Sequence, residues 1–191
     1  MQIITKDELF LKKEYYKHLI LDRRLLFIHP TDTIYGLGCN AEDPFAVDQV
    51  RQLKEHMHLP FSVIAPSKFW ILRHCELNAL ERGWLEKLPG PYTLILRLKT
   101  TTAVAPDVNL GLPTLGVRIP DHWFREFVEY VGVPIVTTSA NRAGDNYMRT
   151  LDDLHPSFKR SVSFIIYDGE LQGRPSLLVK AMEEQEQVLE R

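Results

Sequence analysis

The chain has few of the residues and runs that would assign it to a special class of protein. Only two cysteines, Cys39 and Cys75, occur among its 191 residues, and they form neither a CxxC pair nor a zinc-ligand pattern. No signal-peptide pattern begins the sequence, and no apolar run approaches the length of a membrane span. We therefore expect a reduced, cytoplasmic protein that does not associate with a membrane.

A strong charge of one sign is also absent. The formal net charge is -2 and the pI is about 6.4, whereas proteins that wrap nucleic acid electrostatically are usually much more basic. This balance does not favour a general DNA or RNA binder, although a local basic face remains open.

Several common catalytic motifs are missing. The sequence contains no Gly-rich dinucleotide fingerprint, P-loop, GxSxG elbow or HExxH helix, which disfavours covalent catalysis and zinc hydrolysis. A bound nucleotide would therefore be held by some other arrangement of residues.

The length and the hydrophobic content of 45% predict a single domain over residues 1–191.

Apolar runs and turn residues predict alternating strands and helices. We expect helices at 8–24, 43–54, 67–73, 78–88 and 121–130, and strands at 25–28, 61–65, 92–98, 114–119, 134–138, 164–167 and 176–179. Segment 100–113 reads as a loop, and the tail 183–191 as a surface helix or a frayed end. Phe45 is expected on the buried side of its helix. The fold class is α/β, with a twisted mixed open sheet flanked by helices.

Segment 30–38 is the most informative stretch, because hydroxyls, a carboxylate and two glycines follow a buried strand directly. It reads PTDTIYGLG, and ligands of open α/β sheets bind at the carboxyl ends of strands. Thr31 and Thr33 offer hydrogen-bonding groups, and Gly36 and Gly38 allow close backbone approach. A polar turn with ordinary turn glycines would look the same.

Three later segments have the same character. Arg118 lies in an apolar strand, so its guanidinium needs either an internal carboxylate or a carboxylate-bearing ligand. Residues 137–141 read TTSAN and form either an anion-binding concavity or a helix-capping turn. Lys54 either meets phosphate oxygens or belongs to a solvated basic turn. His56 and His58 do not belong to a recognisable set of metal ligands in the sequence, which argues against a metal site.

These segments, taken in order, resemble the YrdC/YciO family, whose members include L-threonylcarbamoyladenylate synthases. The similarity runs from about residue 25 to about residue 179 and rests on segments 30–38, 89–93, 116–120 and 139–141. The resemblance implies a twisted open α/β sheet with a large concave cavity. It also implies that bicarbonate and L-threonine form N-carboxythreonine, whose carboxylate attacks the α-phosphate of ATP and releases pyrophosphate.

The resemblance also implies roles for individual residues. Thr33, Arg118, Thr137 and Ser176 would bind threonine, and Lys54 would be the catalytic residue that faces the phosphates. The nucleotide would be held by Lys54, His56, Thr114, Ser139 and Asn141. Mg²⁺ would arrive with ATP, without a dedicated protein cage. A tRNA or a tRNA-modifying transferase complex would be the partner for threonylcarbamoyladenosine formation.

The sequence departs from the synthase motifs in three places. His56 stands where the synthases carry the arginine of a Lys-x-Arg motif, and neutral imidazole lacks that permanent charge. Leu177 follows Ser176 where threonine is usual, and residues 145–147 read DNY instead of small residues and proline. A catalytically diverged, YciO-like protein that binds RNA or a nucleotide is therefore the alternative.

Overall fold

The computed structural model describes residues 1–22, 24–55, 58–142, 144–181 and 187–189. Its strands are β1 (Gln2–Ile4), β2 (Phe27–His29), β3 (Gly36–Gly38), β4 (Ser62–Ile64), β5 (Cys75–Glu76), β6 (Tyr92–Leu98), β7 (Thr114–Arg118), β8 (Ile135–Ser139), β9 (Phe164–Ile166), β10 (Leu177–Lys180) and β11 (Gln187–Leu189). Its helices are α1 (Lys6–Leu11), α2 (Lys13–Asp22), α3 (Pro44–Lys54), α4 (Lys68–His74), α5 (Ala79–Glu86), α6 (Pro106–Asn109), α7 (Phe124–Val131) and α8 (Pro156–Ser161).

The strands of the described residues form one mixed sheet. Their order is β1-β9-β2-β3-β8-β4-β7-β6-β10-β11, with β5 paired to the end of β6. The sheet contains both parallel pairs, such as β4 with β7, and antiparallel pairs, such as β4 with β8. The predicted fold class, a mixed α/β sheet flanked by helices, is therefore confirmed.

The two faces of the sheet are covered differently. One face carries the larger core, with Ile28, Val63 and Val136 among its buried residues. On the other face, alternate strand residues such as Phe27 and Ile135 belong to a second core with α1, α2 and α7. This second core covers only part of its face, because the residues that continue the same alternation along β4 and β8 are small and polar.

Helix α3 begins and ends as predicted. Asp43 caps its first turn by accepting from the backbone N–H groups of Phe45 and Ala46, and Pro44 occupies the first helical position. The prediction for Phe45 is wrong: its side chain is exposed, and the Arg24 guanidinium lies 3.6 Å from its ring centroid. The buried face is instead built from Ala46, Val47, Val50, Arg51 and Lys54.

Three other local predictions are wrong. The helix expected at 8–24 is divided into α1 and α2, because a Thr5–Glu8 capping box starts α1 early and Lys12 ends it. The loop expected at 100–113 contains α6, which begins with proline at its first position. Part of the expected helical or frayed tail is β11, which pairs antiparallel with β10.

Candidate functional site

A cavity of about 670 Å³ occupies the uncovered part of the second sheet face. Its volume lies within the range of small-molecule sites. Six of the predicted site residues line it, namely Thr33, Arg118, Thr137, Ser139, Asn141 and Ser176. They come from four separate stretches of the chain, so the fold brings together residues that the sequence spreads over more than 140 positions.

The floor of the cavity is made of small residues on neighbouring strands. Ser62 of β4 pairs with Thr137 of β8 on one side and with Gly116 of β7 on the other. A Cβ atom at Gly116 would lie 2.7 Å from the Ser62 hydroxyl. The absence of a side chain at 116 therefore leaves room for the Ser62 side chain, and Ser62 lines the cavity.

Arg118 is held by a carboxylate while it lines the cavity. Its Nη2 atom donates to Asp32 Oδ1 at 2.5 Å, and its Nη1 atom donates to Thr33 Oγ1 at 3.3 Å. Asp32 Oδ2 accepts from the Asp121 backbone N–H at 2.9 Å. The sequence left open an internal partner or a ligand for Arg118, and the internal partner is present: Asp32 orients a guanidinium that also faces the cavity.

Thr31 shapes the turn that presents Thr33. Its hydroxyl donates to the Ile34 carbonyl at 2.7 Å and accepts from the Thr33 backbone N–H at 3.1 Å. Because Thr31 is fully used inside the turn, Thr33 is the hydroxyl of this segment that reaches the cavity.

Residues 168–176, called the strap below, cross over the turn that contains Thr33. A Cβ atom at Gly173 would lie 2.0 Å from the Thr33 carbonyl oxygen, so the two backbones are in direct contact. The Tyr35 hydroxyl donates to the Gly169 carbonyl at 2.6 Å and accepts from the Asp168 N–H at 2.9 Å. The strap thereby places Ser176 at the cavity wall.

Ser176 meets a second hydroxyl at that wall. Its Oγ atom and that of Thr93 lie 2.7 Å apart, and both residues are buried and line the cavity. Since either hydroxyl can donate to the other, one hydrogen remains to donate to a ligand. Together with Thr33, this pair gives the Arg118 end of the cavity a group of neutral donors and acceptors.

Lys54 is placed behind the cavity wall. Its side chain is 1% exposed, and Nζ donates to the Ser139 carbonyl at 2.7 Å, to Asn141 Oδ1 at 2.9 Å and to the Asn141 carbonyl. Burial lowers the pKa of Lys54 to about 8. The ammonium therefore holds the 139–141 turn from the protein side, and Lys54 is not among the residues that line the cavity.

The carboxylate next to Lys54 in the sequence, that of Glu55, is paired with a positive charge. Glu55 ends α3 with a left-handed backbone, and its carboxylate accepts from Arg142, which follows the 139–141 turn. This ion pair joins the end of α3 to the segment after β8. His56 lies outside the described residues, so its predicted contact with the nucleotide stays a prediction.

Thr114 is not brought to the cavity. It begins β7 opposite Arg97, whereas Arg118, which lines the cavity, ends the same strand. Its carbonyl accepts from the Asn109 side chain at 3.0 Å. At about 3.3 Å per strand residue, the two ends of β7 lie roughly 13 Å apart, and the contact of Thr114 with the nucleotide stays a prediction.

His29 marks the boundary between the second core and the cavity. It is fully buried and stacks on Phe124, and burial lowers its pKa to about 3. Its Nδ1 atom lies 3.3 Å from the Pro30 carbonyl, which can only accept, so the hydrogen of the neutral ring sits on Nδ1. Gly36 leaves the space into which the imidazole fits.

Sequence reasoning missed Asp32, Gly173 and Thr93 as contributors to the site. Asp32 carried a usable signal, because it is the carboxylate within the polar segment and Arg118 needed a partner. Thr93 also carried one, because it lies in segment 89–93, on which the family resemblance rests. Gly173 carried none, since a single glycine is common. Among the described residues, no group of three His, Cys, Asp or Glu side chains could hold a metal ion.

The described part of the chain contains no helix that is both long and apolar enough to cross a membrane.

The arrangement of the cavity suits an anionic ligand. One end offers a forked cation and neutral hydroxyls, and the other offers a turn held by a buried ammonium. Such a site can bind carboxylate and phosphate groups and can act by positioning and charge neutralisation.

Known proteins resemble this chain over most of its length. A model of the Sua5/YciO/YrdC family, described as telomere recombination, matches residues 20–191. A relative from Methanocaldococcus jannaschii is 33% identical over 90% of this chain and 78% of its own length. The threonylcarbamoyl-AMP synthase of Chromohalobacter salexigens is 30% identical over 83% of this chain and 86% of its own length.

The human threonylcarbamoyl-AMP synthase is 31% identical over 74% of this chain, but the chain spans only 50% of that protein. Among solved structures, P. abyssi Sua5 in complex with L-threonine superposes with a TM-score of 0.86 at 26% identity, covering 98% of this chain and 56% of Sua5. E. coli YciO superposes with a TM-score of 0.84 at 20% identity, covering 100% of this chain and 94% of its own, and this likeness shows the fold alone. The residues matched by the family model include all those that line the cavity. Because this model matches most of the chain, the chain belongs to the Sua5/YciO/YrdC family.

Proposed function

We propose that this protein is a threonylcarbamoyl-AMP synthase, which makes threonylcarbamoyl-AMP, pyrophosphate and water from ATP, L-threonine and bicarbonate. The observation that carries the proposal is that the Arg118–Thr33 group and the 139–141 turn face the same cavity. The names of the relatives and the threonine complex of Sua5 support it.

In this reaction, the carboxylate of threonine binds at Arg118 and Thr33, with Thr137 and Ser176 beside it. Asp32 keeps the guanidinium in one orientation, so little order is lost when the substrate binds. The amine of threonine and bicarbonate form a carbamate with loss of water. The carbamate oxygen then attacks the α-phosphorus of ATP, and the bond to pyrophosphate breaks.

The nucleotide occupies the end of the cavity near Ser139 and Asn141, where the hydroxyl and the backbone of the turn contact phosphate oxygens. Lys54 supports this turn from behind and is a positioning residue in our proposal. Mg²⁺ enters as part of the MgATP substrate, bound mainly by phosphates and water.

The product would serve tRNA threonylcarbamoyladenosine modification, after transfer by a tRNA-modifying partner. We propose a cytoplasmic location for this step. One observation favours the alternative of a diverged, YciO-like protein that binds RNA or a nucleotide: Lys54 donates to the protein's own carbonyl groups. In that case the cavity would bind a nucleotide without forming the adenylate.

Pyrophosphate release by the purified protein separates the two functions. We expect release only when ATP, Mg²⁺, L-threonine and bicarbonate are all present, and omission of any one should abolish it. No release from protein shown to be folded would contradict the synthase. A salt titration of tRNA binding would then test the alternative, because phosphate contacts weaken steeply with salt.

A further inference from the structure

Tyr147 forms part of the cavity wall on the segment that follows β8. Its neighbours in the chain make contacts with the rest of the fold. Met148 is fully buried in the larger core, and the Arg149 carbonyl accepts from the Leu171 N–H at 3.1 Å. Asn141 Nδ2 donates to the Asp145 carbonyl at 2.6 Å and holds the preceding turn. The backbone before and after Tyr147 is therefore anchored to the rest of the fold.

Leu59 and Pro60 line the cavity at the same end. Ser62 pairs with Thr137, and β4 and β8 are antiparallel, so two residues before Ser62 the chain comes level with Ser139. Arg51 donates to the Leu59 carbonyl at 3.0 Å and anchors this wall. The Ser139 end of the cavity therefore has two apolar walls, one of them aromatic.

The chemistry of this end differs from that of the Arg118 end. The Arg149 guanidinium carbon lies 5.6 Å from the centroid of the Tyr147 ring, within the range of a cation–π contact. A flat, uncharged group of the ligand suits apolar and aromatic walls, whereas its phosphates suit the turn between them. Aromatic rings are common platforms for nucleobases, since every base has a π-face.

We propose that the purine base of the nucleotide packs on Tyr147, with Leu59 and Pro60 on the opposite side. This assignment rests on the proposed function and deepens it by naming the residue that recognises the base. The departure of residues 145–147 from the small residues and proline of the resembling synthases is then a gain of base contact in this chain.

Two measurements on Tyr147→Leu and Tyr147→Phe test the assignment. The first is the affinity for a non-hydrolysable ATP analogue by calorimetry. We expect about a tenfold loss in Tyr147→Leu and less than about a threefold loss in Tyr147→Phe, because phenylalanine retains the ring. The second is the fluorescence of 2-aminopurine riboside triphosphate at saturation, which stacking quenches and which Tyr147→Leu should restore.

Tyr15→Leu is the matched control, since Tyr15 is exposed and does not line the cavity. It should leave both measurements unchanged. Quenching that persists at saturation in Tyr147→Leu, or unchanged affinity for the analogue, would overturn the assignment to Tyr147 and leave the synthase proposal standing. A wild-type protein that binds neither probe would overturn the proposed function itself, and the base contact with it.

Discussion

At the scale of single residues, the site depends on two buried cations that are used differently. Arg118 has a forked guanidinium, so it can bind Asp32 and Thr33 and still face the cavity. Lys54 has a compact ammonium, and its hydrogen bonds go to the oxygen atoms of the 139–141 turn. The shape of each cation therefore decides whether it is available to bind the ligand or supports the cavity wall.

Arg118→Lys should raise the KM for threonine about tenfold or more while the KM for ATP changes little. Lysine retains the positive charge beside Asp32 but loses the bidentate geometry that suits a carboxylate. Initial rates of pyrophosphate release at varied threonine and fixed ATP measure the effect. Arg125→Lys, at an exposed i,i+4 ion pair with Asp121, is the control, and equal KM values in the two variants would remove Arg118 from the threonine site.

At the scale of elements, two segments bring the site together. The strap 168–176 carries Ser176 over the Thr33 turn, and the end of α3 supports the turn after β8. Neither contact follows from local sequence, because each joins residues more than 80 positions apart.

Gly173→Ala should disrupt the threonine end of the cavity. The added methyl would meet the Thr33 carbonyl oxygen at 2.0 Å, so one of the two backbones must shift. We expect a lower melting temperature and a several-fold higher KM for threonine, measured by thermal unfolding and by pyrophosphate release.

Gly83→Ala is the control for that experiment. Gly83 lies within α5, where a Cβ atom would meet nothing within 4 Å, and alanine should stabilise the helix by about 0.5–1 kcal/mol. If Gly173→Ala were as stable and as active as Gly83→Ala, the close contact between the strap and the Thr33 turn would be wrong.

Lys54→Met should destabilise the protein by about 2–3 kcal/mol, because buried oxygen atoms of Ser139 and Asn141 would lose their donor. Nucleotide affinity should fall with it, since the turn loses its support. Urea unfolding and calorimetry measure the two effects. Lys68→Met removes a partly exposed ion pair with Glu86 and should cost less than about 1 kcal/mol; an equally small cost for Lys54→Met would contradict its placement behind the turn.

At the scale of the whole molecule, the cavity exists because one face of the sheet is only partly covered. Helices α1, α2 and α7 cover its β2 and β9 side, and His29 lies at the edge of that core. The fold thus buries a titratable ring next to the site, which links the stability of the protein to pH.

Stability should fall as the pH decreases from about 6.5 towards about 3, and His29 should account for roughly 4 kcal/mol of the loss. The pKa of His29 is lowered to about 3 in the folded protein, so the unfolded chain binds more protons in this window. Above about pH 6.5, the contribution of His29 to the free energy of unfolding is fully present.

Urea unfolding at a series of pH values measures this dependence. His29→Leu should flatten the curve between pH 3 and 6.5, whereas His18→Leu, at an exposed side chain, should leave it close to that of the wild type. Identical curves for the wild type and His29→Leu would show that the imidazole is not buried in the neutral form.

Much of this protein was determined by the sequence alone, for local reasons. The helix start at Asp43-Pro44 and the strand at 92–98 follow from capping and from β-branched and apolar residues. The polar segments, the arginine in an apolar strand and the family resemblance together predicted six residues that line one cavity. These features depend on neighbours in the chain, so they could be inferred without coordinates.

Only the tertiary structure decided how those residues are used. Phe45 was expected to be buried and is exposed, whereas Lys54 is buried. The burial of Lys54 is tolerated because its ammonium donates to several oxygen atoms of Ser139 and Asn141. Thr114 lies at the opposite end of β7 from Arg118, and Asp32 and Gly173 gain roles from residues far away in sequence. Strand register and long-range contacts set these outcomes, and neither is encoded in any short stretch of the chain.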